Sequence, residues 1–366
     1  MLPVQPFEEM PPVTSRKSTF NKPVRLQDVA RAAGTSLATA SLALNDKGRV
    51  SPVTRRKVLR IARRMGFEAN PSAQGLAAGH RSRQIIIFTR DLDLGVATRK
   101  LQILQGMFFE KGYNASIHSC GYFQGGHGGD NAGLIRELRR QRPLAIICHN
   151  TQHFDQGMFD EVEKYAASGG HLVTFDLPSV LECDQVIFDR TDSADQAATH
   201  LLQLGHRDIG FAMAGIHQDT IRTEGISRTL RRFGLSLQPE FLYDCRQGLS
   251  NEVAGESLAQ RFLQSERRPT AICIPDDTVA VSFIATLYRN GLHVPKDLSV
   301  VGHDDLPIAA HNFIPLSTVA QPLETIARET VNLLMSRVDG SFDGAPRKVR
   351  LCGELIVRQS TALLQN

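Results

Sequence analysis

No apolar run in this chain approaches the roughly 18–20 residues of a membrane-crossing helix, so no such span is expected. Tryptophan is absent and aromatics make up only 6% of residues, while 42% are apolar. That balance fits a soluble protein with large, mainly aliphatic cores. The first twenty residues have neither a basic n-region nor an apolar h-region; with Pro3, Pro6, Pro11, Pro12, Glu8 and Glu9 they read as a disordered tail rather than a signal peptide. The six cysteines (120, 148, 183, 245, 273, 352) show neither CxxC nor Cys/His ligand spacing. Buried free thiols in a reducing cytoplasm are expected, and no metal site. Nucleophile elbow and Walker loop are both missing, so neither an enzyme nor a cofactor is expected. The glycine-rich GYFQGGHGGD (121–130) is not followed by a helix start with Lys-Ser/Thr, and reads as a flexible loop.

What is present begins with charge. Through Arg83 the chain carries fifteen Lys and Arg against five acids, a net +10; the whole chain is +4, which leaves −6 for the rest. A basic head on an acidic body points to a polyanion-binding module joined to something else. Inside that head lies LQDVARAAGTSLATASLALN (26–45). Leu26, Val29, Ala30 and Ala33 recur at helical spacing, Gly34 can stop the helix in the left-handed conformation, and Ser36 can cap a second helix. Ala40, Ala43 and Leu44 form the inner stripe of that second helix. Ser51-Pro52 starts a third helix, with Val58, Ile61, Ala62 and Met65 inward and Arg55, Arg56, Arg60, Arg63 and Arg64 outward. Two short helices about a glycine turn are either an ordinary core hairpin or a helix-turn-helix, and the basic flanks decide for the latter. NPSAQGLAAG (70–79) is a poor autonomous helix, since glycine costs about 1 kcal/mol; it reads as a linker or as a segment that orders on DNA with Leu76 as an apolar wedge.

From Gln84 strands and helices alternate. Strands are expected at 85–89, 115–119, 144–148, 171–176 and 184–189, with helices at 100–112, 133–141 and 159–168. A fresh series then reads helix 193–204, strand 208–214, helix 222–233, strand 241–245, helix 251–264, strand 270–274, helix 277–290 and strand 298–302. Such alternation means parallel sheets covered by helices on both faces, and two series mean two lobes. Ligands in such sheets bind beyond the carboxyl ends of the strands. The fold class is therefore α/β, with a three-helix head and hinge ahead of two parallel sheets.

These motifs, with HLLQLGHRDIGF (200–211), RPTAICIPDDTVA (268–280), GLHVPKDLSVVGHDD (291–305), PLSTVAQP (315–322) and GELIVRQST (353–361), resemble the lactose/galactose repressor (LacI/GalR) family of bacterial regulators from Val24 to Thr361. The resemblance implies a disordered tail (1–22), a helix-turn-helix domain (23–69), a hinge (70–81), and a periplasmic-binding-protein-like body for effector binding and dimerisation (82–366). In that body the N-lobe is expected at about 82–191 and 323–350, and the C-lobe at about 192–320 and 351–366, joined by three crossovers. For DNA contact it implies Leu37, Ala38, Thr39, Ser41, Leu42 and Asn45 of the second helix, Arg49, Thr54 and Arg55 beyond it, and Ala73 and Leu76 of the hinge. Leu42 stands where relatives commonly place a guanine-reading arginine, which leaves apolar contact with thymine methyls and implies an altered half-site. For the effector it implies Asp91, Asp176, Arg222, Leu249, Asp276 and Asp304, with departures at Leu249 (often an aromatic) and Asp276 (usually Asn).

The expected function is a repressor on a pseudo-palindromic double-stranded operator, controlled by a small molecule, a sugar or sugar derivative; the alternative is a purine or sugar phosphate. A cytoplasmic, nucleoid-associated homodimer is expected, a dimer of dimers being less favoured because no heptad tail follows Ser360. Two other classes compete. An enzyme would rest on Asp276-Asp277 and Asp304-Asp305, although adjacent carboxylates normally point apart; a free solute-binding protein would lack the basic head.

Overall fold

The computed structural model describes residues 24–44, 50–67, 82–90, 95–120, 129–213, 217–245 and 250–365. The chain divides into two compact units, residues 1–82 and 83–366.

The first unit holds α1 (Leu26–Ala33), α2 (Leu37–Leu44) and α3 (Pro52–Met65). Gly34 has φ 62°, and the turn after α1 closes by Thr35 N–H donating to the Ala30 carbonyl at 3.0 Å. Ser36 Oγ accepts from Thr39 N at 3.0 Å and Ser51 Oγ from Thr54 N at 3.1 Å, so each hydroxyl satisfies a donor left over at a helix start. The three helices meet on Val29, Ala30, Ala33, Ala40, Ala43, Val58 and Ala62, with Leu26, Leu44, Ile61 and Met65 packed around them. Small residues let these short helices approach closely and leave Arg56, Lys57, Arg60, Arg63 and Arg64 exposed, whereas Arg55, expected outward, is half-buried at the start of α3.

The second unit contains two six-stranded sheets. The first has the order β11-β5-β4-β3-β1-β2, from β1 (Gln84–Thr89), β2 (Asn114–Ser119), β3 (Ala145–His149), β4 (His171–Asp176), β5 (Asp184–Phe188) and β11 (Lys348–Leu351). The second, β12-β10-β9-β8-β6-β7, uses β6 (Ile209–Met213), β7 (Leu242–Asp244), β8 (Ala271–Cys273), β9 (Ser299–Asp304), β10 (Ser317–Ala320) and β12 (Glu354–Ile356). The strand directions are parallel except at β12, which runs antiparallel to β10. Each order reverses direction beside its first strand, the kind of switch point where α/β sheets bind ligands.

On the first sheet, α4 (Val96–Glu110) and α12 (Leu323–Val338) cover one face through Leu101, Leu104, Phe108, Ile326 and Leu334. Helices α5 (Asn131–Arg140) and α6 (Gln156–Ala167) cover the other through Ile135, Met158 and Val162. On the second sheet, α7 (Arg190–Gln203) and α8 (His217–Arg232) cover one face, and α9 (Asn251–Gln264) and α10 (Asp277–Arg289) the other. A short α11 (Pro307–His311) follows β9. Full burial of each large aliphatic side chain contributes roughly 1.5–3 kcal/mol, which makes these four layers the main source of stability.

The chain passes between the sheets three times: from β5 to α7, from β10 to α12, and from β11 to β12. The crossings pack on one another at Gly353, where an added Cβ would lie 2.7 Å from the Ala320 carbonyl oxygen and 3.4 Å from the Phe188 ring. Five of the cysteines are buried free thiols as expected; Cys352, on the third crossing, is exposed instead.

Candidate functional site

Two places collect the residues singled out by the sequence. In the first unit, burial of Ala40 and Ala43 turns the opposite side of α2 outward. Leu37 is 45% exposed and Leu42 40% exposed, and Ala38 is exposed between them. Thr39 and Ser41 are half-buried, and the Thr39 hydroxyl hydrogen-bonds that of Ser36 at 2.8 Å. Thr54 and Arg55 begin α3, where the Thr54 hydroxyl pairs with that of Ser51 at 2.8 Å and Arg55 is half-buried. Asn45, Arg49, Ala73, Leu76 and the rest of the segment 70–79 lie outside the described residues, as do Asp91, Leu249 and residues 121–128 of the glycine-rich loop.

In the second unit the carboxyl ends of both sheets meet in a buried polar chain. Asp176 ends β4 with φ 91° and Asp304 ends β9 with φ 106°. Non-glycine residues held in that region cost of order 1–3 kcal/mol, and such strain concentrates at functional sites. Asp176 Oδ1 accepts a short hydrogen bond from the Lys100 ammonium. Its Oδ2 accepts from Arg190 Nη2 at 2.8 Å and lies 3.7 Å from His149 Nε2. Lys100 also donates to Gln321 Oε1 at 3.0 Å, and Gln321 Nε2 donates to Asp304 Oδ1 at 2.5 Å. His303 Nδ1 reaches the same Asp304 oxygen at 2.5 Å. The chain Asp176–Lys100–Gln321–Asp304 thus runs from the first sheet to the second through a crossing segment. Phe188, which ends β5, contacts the His303 ring at 5.7 Å and the Arg190 guanidinium at 5.3 Å.

The electrostatics follow from burial and pairing. Burial alone would raise Asp176, but Arg190, Lys100 and His149 hold its carboxyl well below the usual range. Burial likewise opposes ionisation of Asp304, and His303 and Arg222 outweigh it, so it too is held low. Desolvation lowers Lys100, and it lowers His149 to about 3. His303 is lowered by burial as well, so its ring is neutral, with Nδ1–H donating to Asp304. Arg222, buried on α8, is pushed down to about 10 by burial and then by Arg190; it also feels Asp304, Asp219 and Asp176. The structure therefore gathers Asp176, Arg222 and Asp304 into one electrostatic neighbourhood.

Asp276 is placed differently: Oδ1 caps α10 by accepting from Thr278 N at 2.8 Å, and Oδ2 accepts from Asn251 Nδ2 at 2.9 Å. Its neighbour Asp277 turns inward to Leu306 N at 2.8 Å and Thr318 Oγ1 at 2.7 Å, with its carboxyl pushed well up by burial and by Asp304. The two adjacent carboxylates do point apart.

Two buried polar atoms at the junction have no hydrogen-bond partner among the described residues: Arg190 Nε, a donor, and His303 Nε2, an acceptor in the neutral ring. Buried polar groups are nearly always paired, and this orphan donor and orphan acceptor belong to two residues that both contact the Phe188 ring. Lys100, His149, Arg190, His303 and Gln321 were not singled out from the sequence. Lys100 alone carried a signal, as a cation one and two turns before Leu104 and Phe108 on the buried stripe of α4.

Comparison with known proteins finds a match in each of the two units. Residues 25–70 match the family described as bacterial regulatory proteins, lacI family, and residues 198–361 match a periplasmic binding protein-like domain. The chain is 28% identical to the HTH-type transcriptional repressor CytR of Escherichia coli (strain K12) over 93% of this chain and 96% of that protein. In fold it is similar to the lac repressor dimer bound to operator and the anti-inducer ONPF, with TM-score 0.73, 24% identity and coverage of 93% and 100%. It is similar also to the transcriptional regulator CelR–cellobiose complex, with TM-score 0.65, 23% identity and coverage of 92% and 99%.

Proposed function

We propose that this chain, whose residues 25–70 match the lacI family of bacterial regulatory proteins, represses transcription from a pseudo-palindromic operator under the control of an uncharged sugar held at the Asp176–Asp304 junction. The observation that carries the reading is the orphan pair, Arg190 Nε and His303 Nε2, beside that buried chain. One offers a donor and the other an acceptor, the pairing a sugar hydroxyl satisfies. Charge favours a neutral ligand over a sugar phosphate. Lys100, Arg190 and Arg222 stand against Asp176, Asp219 and Asp304, so the buried charges cancel. A dianionic phosphate would lack a countercharge there, and burying it unpaired is costly.

The effector acts by binding one state of the body more tightly than the other. Arg190, which holds Asp176 at the end of β4, sits at the first crossing and Gln321 at the second, so a ligand on these residues bears on the segments about which the lobes turn. The hinge, 70–81, passes that change to the DNA-binding head. A cytoplasmic homodimer supplies two heads for two half-sites. No helix among the described residues is long and apolar enough to cross a membrane.

A thermal-shift screen of the full chain against pentoses, hexoses, disaccharides, polyols, sugar phosphates and purines tests the ligand class. A native-state ligand at a hundred times its Kd adds about 2.7 kcal/mol. Stabilisation by an uncharged sugar, abolished in Arg222→Ala and in Asp304→Ala, is expected. Stabilisation by phosphates or purines alone, or an undiminished shift in both variants, contradicts it.

A further inference from the structure

We propose that the outward face of α2 reads the C5-methyl group of pyrimidines, thymine and 5-methylcytosine alike; this rests on the DNA-binding reading above. The residues of α2 are LATASLAL, with no charge of either sign. Ala40 and Ala43 are 0% and 2% exposed and fix the inward side, while Leu37 and Leu42 are 45% and 40% exposed. Ala38 is exposed one turn before Leu42. The most outward side chains of this helix therefore carry no donor or acceptor. The two hydroxyls of the helix, on Thr39 and Ser41, are half-buried, and that of Thr39 is engaged with Ser36 at 2.8 Å.

Exposed leucines on a short helix mark a binding face, and charge identifies the occupant. Helix α3, packed against α2 through a shared core, carries Arg55, Arg56, Lys57, Arg60, Arg63 and Arg64 and no acid. An apolar face within so basic a unit fits a polyanion that also displays apolar groups. In the major groove the base edges offer one such group, the methyl on pyrimidine C5. A leucine set against N7, O6 or an unmethylated cytosine edge strips water from polar atoms and returns no hydrogen bond, so those bases are penalised. The leucine responds to the methyl itself. A cytosine methylated at C5 therefore presents Leu42 with the same contact as thymine. Ala38 and Leu42, spaced i and i+4, lie roughly 5–6 Å apart at Cβ, which suits methyls on neighbouring base pairs.

The test uses the full chain and duplexes enriched by it from a randomised pool. Each thymine of the enriched half-site is replaced by deoxyuridine, which removes only the methyl, and each cytosine by 5-methylcytosine. At the positions facing α2, deoxyuridine is expected to weaken binding about fourfold per methyl, the worth of burying one such group. A 5-methylcytosine is expected to bind more tightly than cytosine there by a similar factor. Leu42→Ala, at an exposed position, is expected to keep the wild-type melting temperature and lose both differences. Leu42→Arg is expected to turn the preference toward guanine. Equal binding of thymine and deoxyuridine at every position of an enriched site overturns the methyl inference and leaves DNA binding standing, as does an unchanged methyl preference in Leu42→Ala. Failure to enrich any duplex overturns the DNA-binding reading and this inference with it.

Discussion

Asp176 is held by two cations and a histidine, and the direction in which this arrangement breaks can be stated residue by residue. Removing the carboxylate leaves Lys100 and Arg190 buried together without a countercharge, whereas removing Lys100 leaves Asp176 its bond to Arg190 at 2.8 Å. Asp176→Ala is therefore expected to cost about 3–5 kcal/mol and Lys100→Met clearly less, as read by denaturant unfolding of the full chain. Equal losses, or the reverse order, would contradict the network. His149 and His153 supply a pH dependence. Both are lowered by burial, to about 3 and about 4, against about 6.5 in an unfolded chain. The unfolded state thus binds protons first. Their contribution is whole above pH 6.5 and falls as the pH drops, at up to about 1.4 kcal/mol per pH unit per group, until the folded values are reached. Melting temperatures measured from pH 7.5 to 5 are expected to decline below 6.5, less steeply in His149→Gln. From the sequence, Asp176, Arg222 and Asp304 were singled out by the family resemblance; their partners were not, although His303 and Gln321 lie within the quoted stretches 291–305 and 315–322. Whether a strand histidine such as His303 or a helix-start residue such as Arg190 faces a junction depends on pairings remote in the chain.

At the level of elements, periodicity served well where helices and strands alternate. Strand 171–176 and helix 251–264 stand at the expected residues, and most others within a few. Helix starts were the weakest point: α7 begins at Arg190 rather than 193 and α8 at His217 rather than 222. In α7 the first turn is polar, with Asp189 accepting from Thr191 N at 3.0 Å, so the apolar stripe begins a turn later than the helix. The antiparallel β12 was not legible either, because strand direction is set by where a crossing delivers the chain. One glycine holds two helices in contact. At Gly225 an added Cβ would lie 2.6 Å from the Thr191 carbonyl oxygen, so α8, which carries Arg222, rests on α7 only because that methyl is missing. Gly225→Ala is expected to cost about 1–3 kcal/mol of stability and to weaken ligand binding, readable as a lower melting temperature and a smaller ligand shift. Ser51→Ala removes the cap of α3 and is expected to cost about 1 kcal/mol, seen in amide exchange of residues 24–67 with little effect on the second unit.

At the level of the whole molecule, the charge split and the change from clustered helices to strand–helix alternation made two modules legible in the amino-acid sequence itself. On the proposed function, what joins one to the other runs through the three crossings. They pack on one another at Gly353, and the Asp176–Lys100–Gln321–Asp304 chain passes through the second of them at Gln321, beside the proposed ligand contacts. Gly353→Ala, with no room beside the Ala320 carbonyl, is expected to reduce the effect of ligand on DNA affinity more than it reduces ligand binding itself. The most direct measurement is the affinity of the full chain for its enriched operator, by fluorescence anisotropy, with and without the uncharged sugar that raises its melting temperature. A coupling of 1–3 kcal/mol, or about 5- to 150-fold in Kd, is expected in the wild type. In Arg222→Ala the sugar should have no effect while ligand-free operator binding persists. A sugar that binds and leaves operator affinity unchanged would contradict the account.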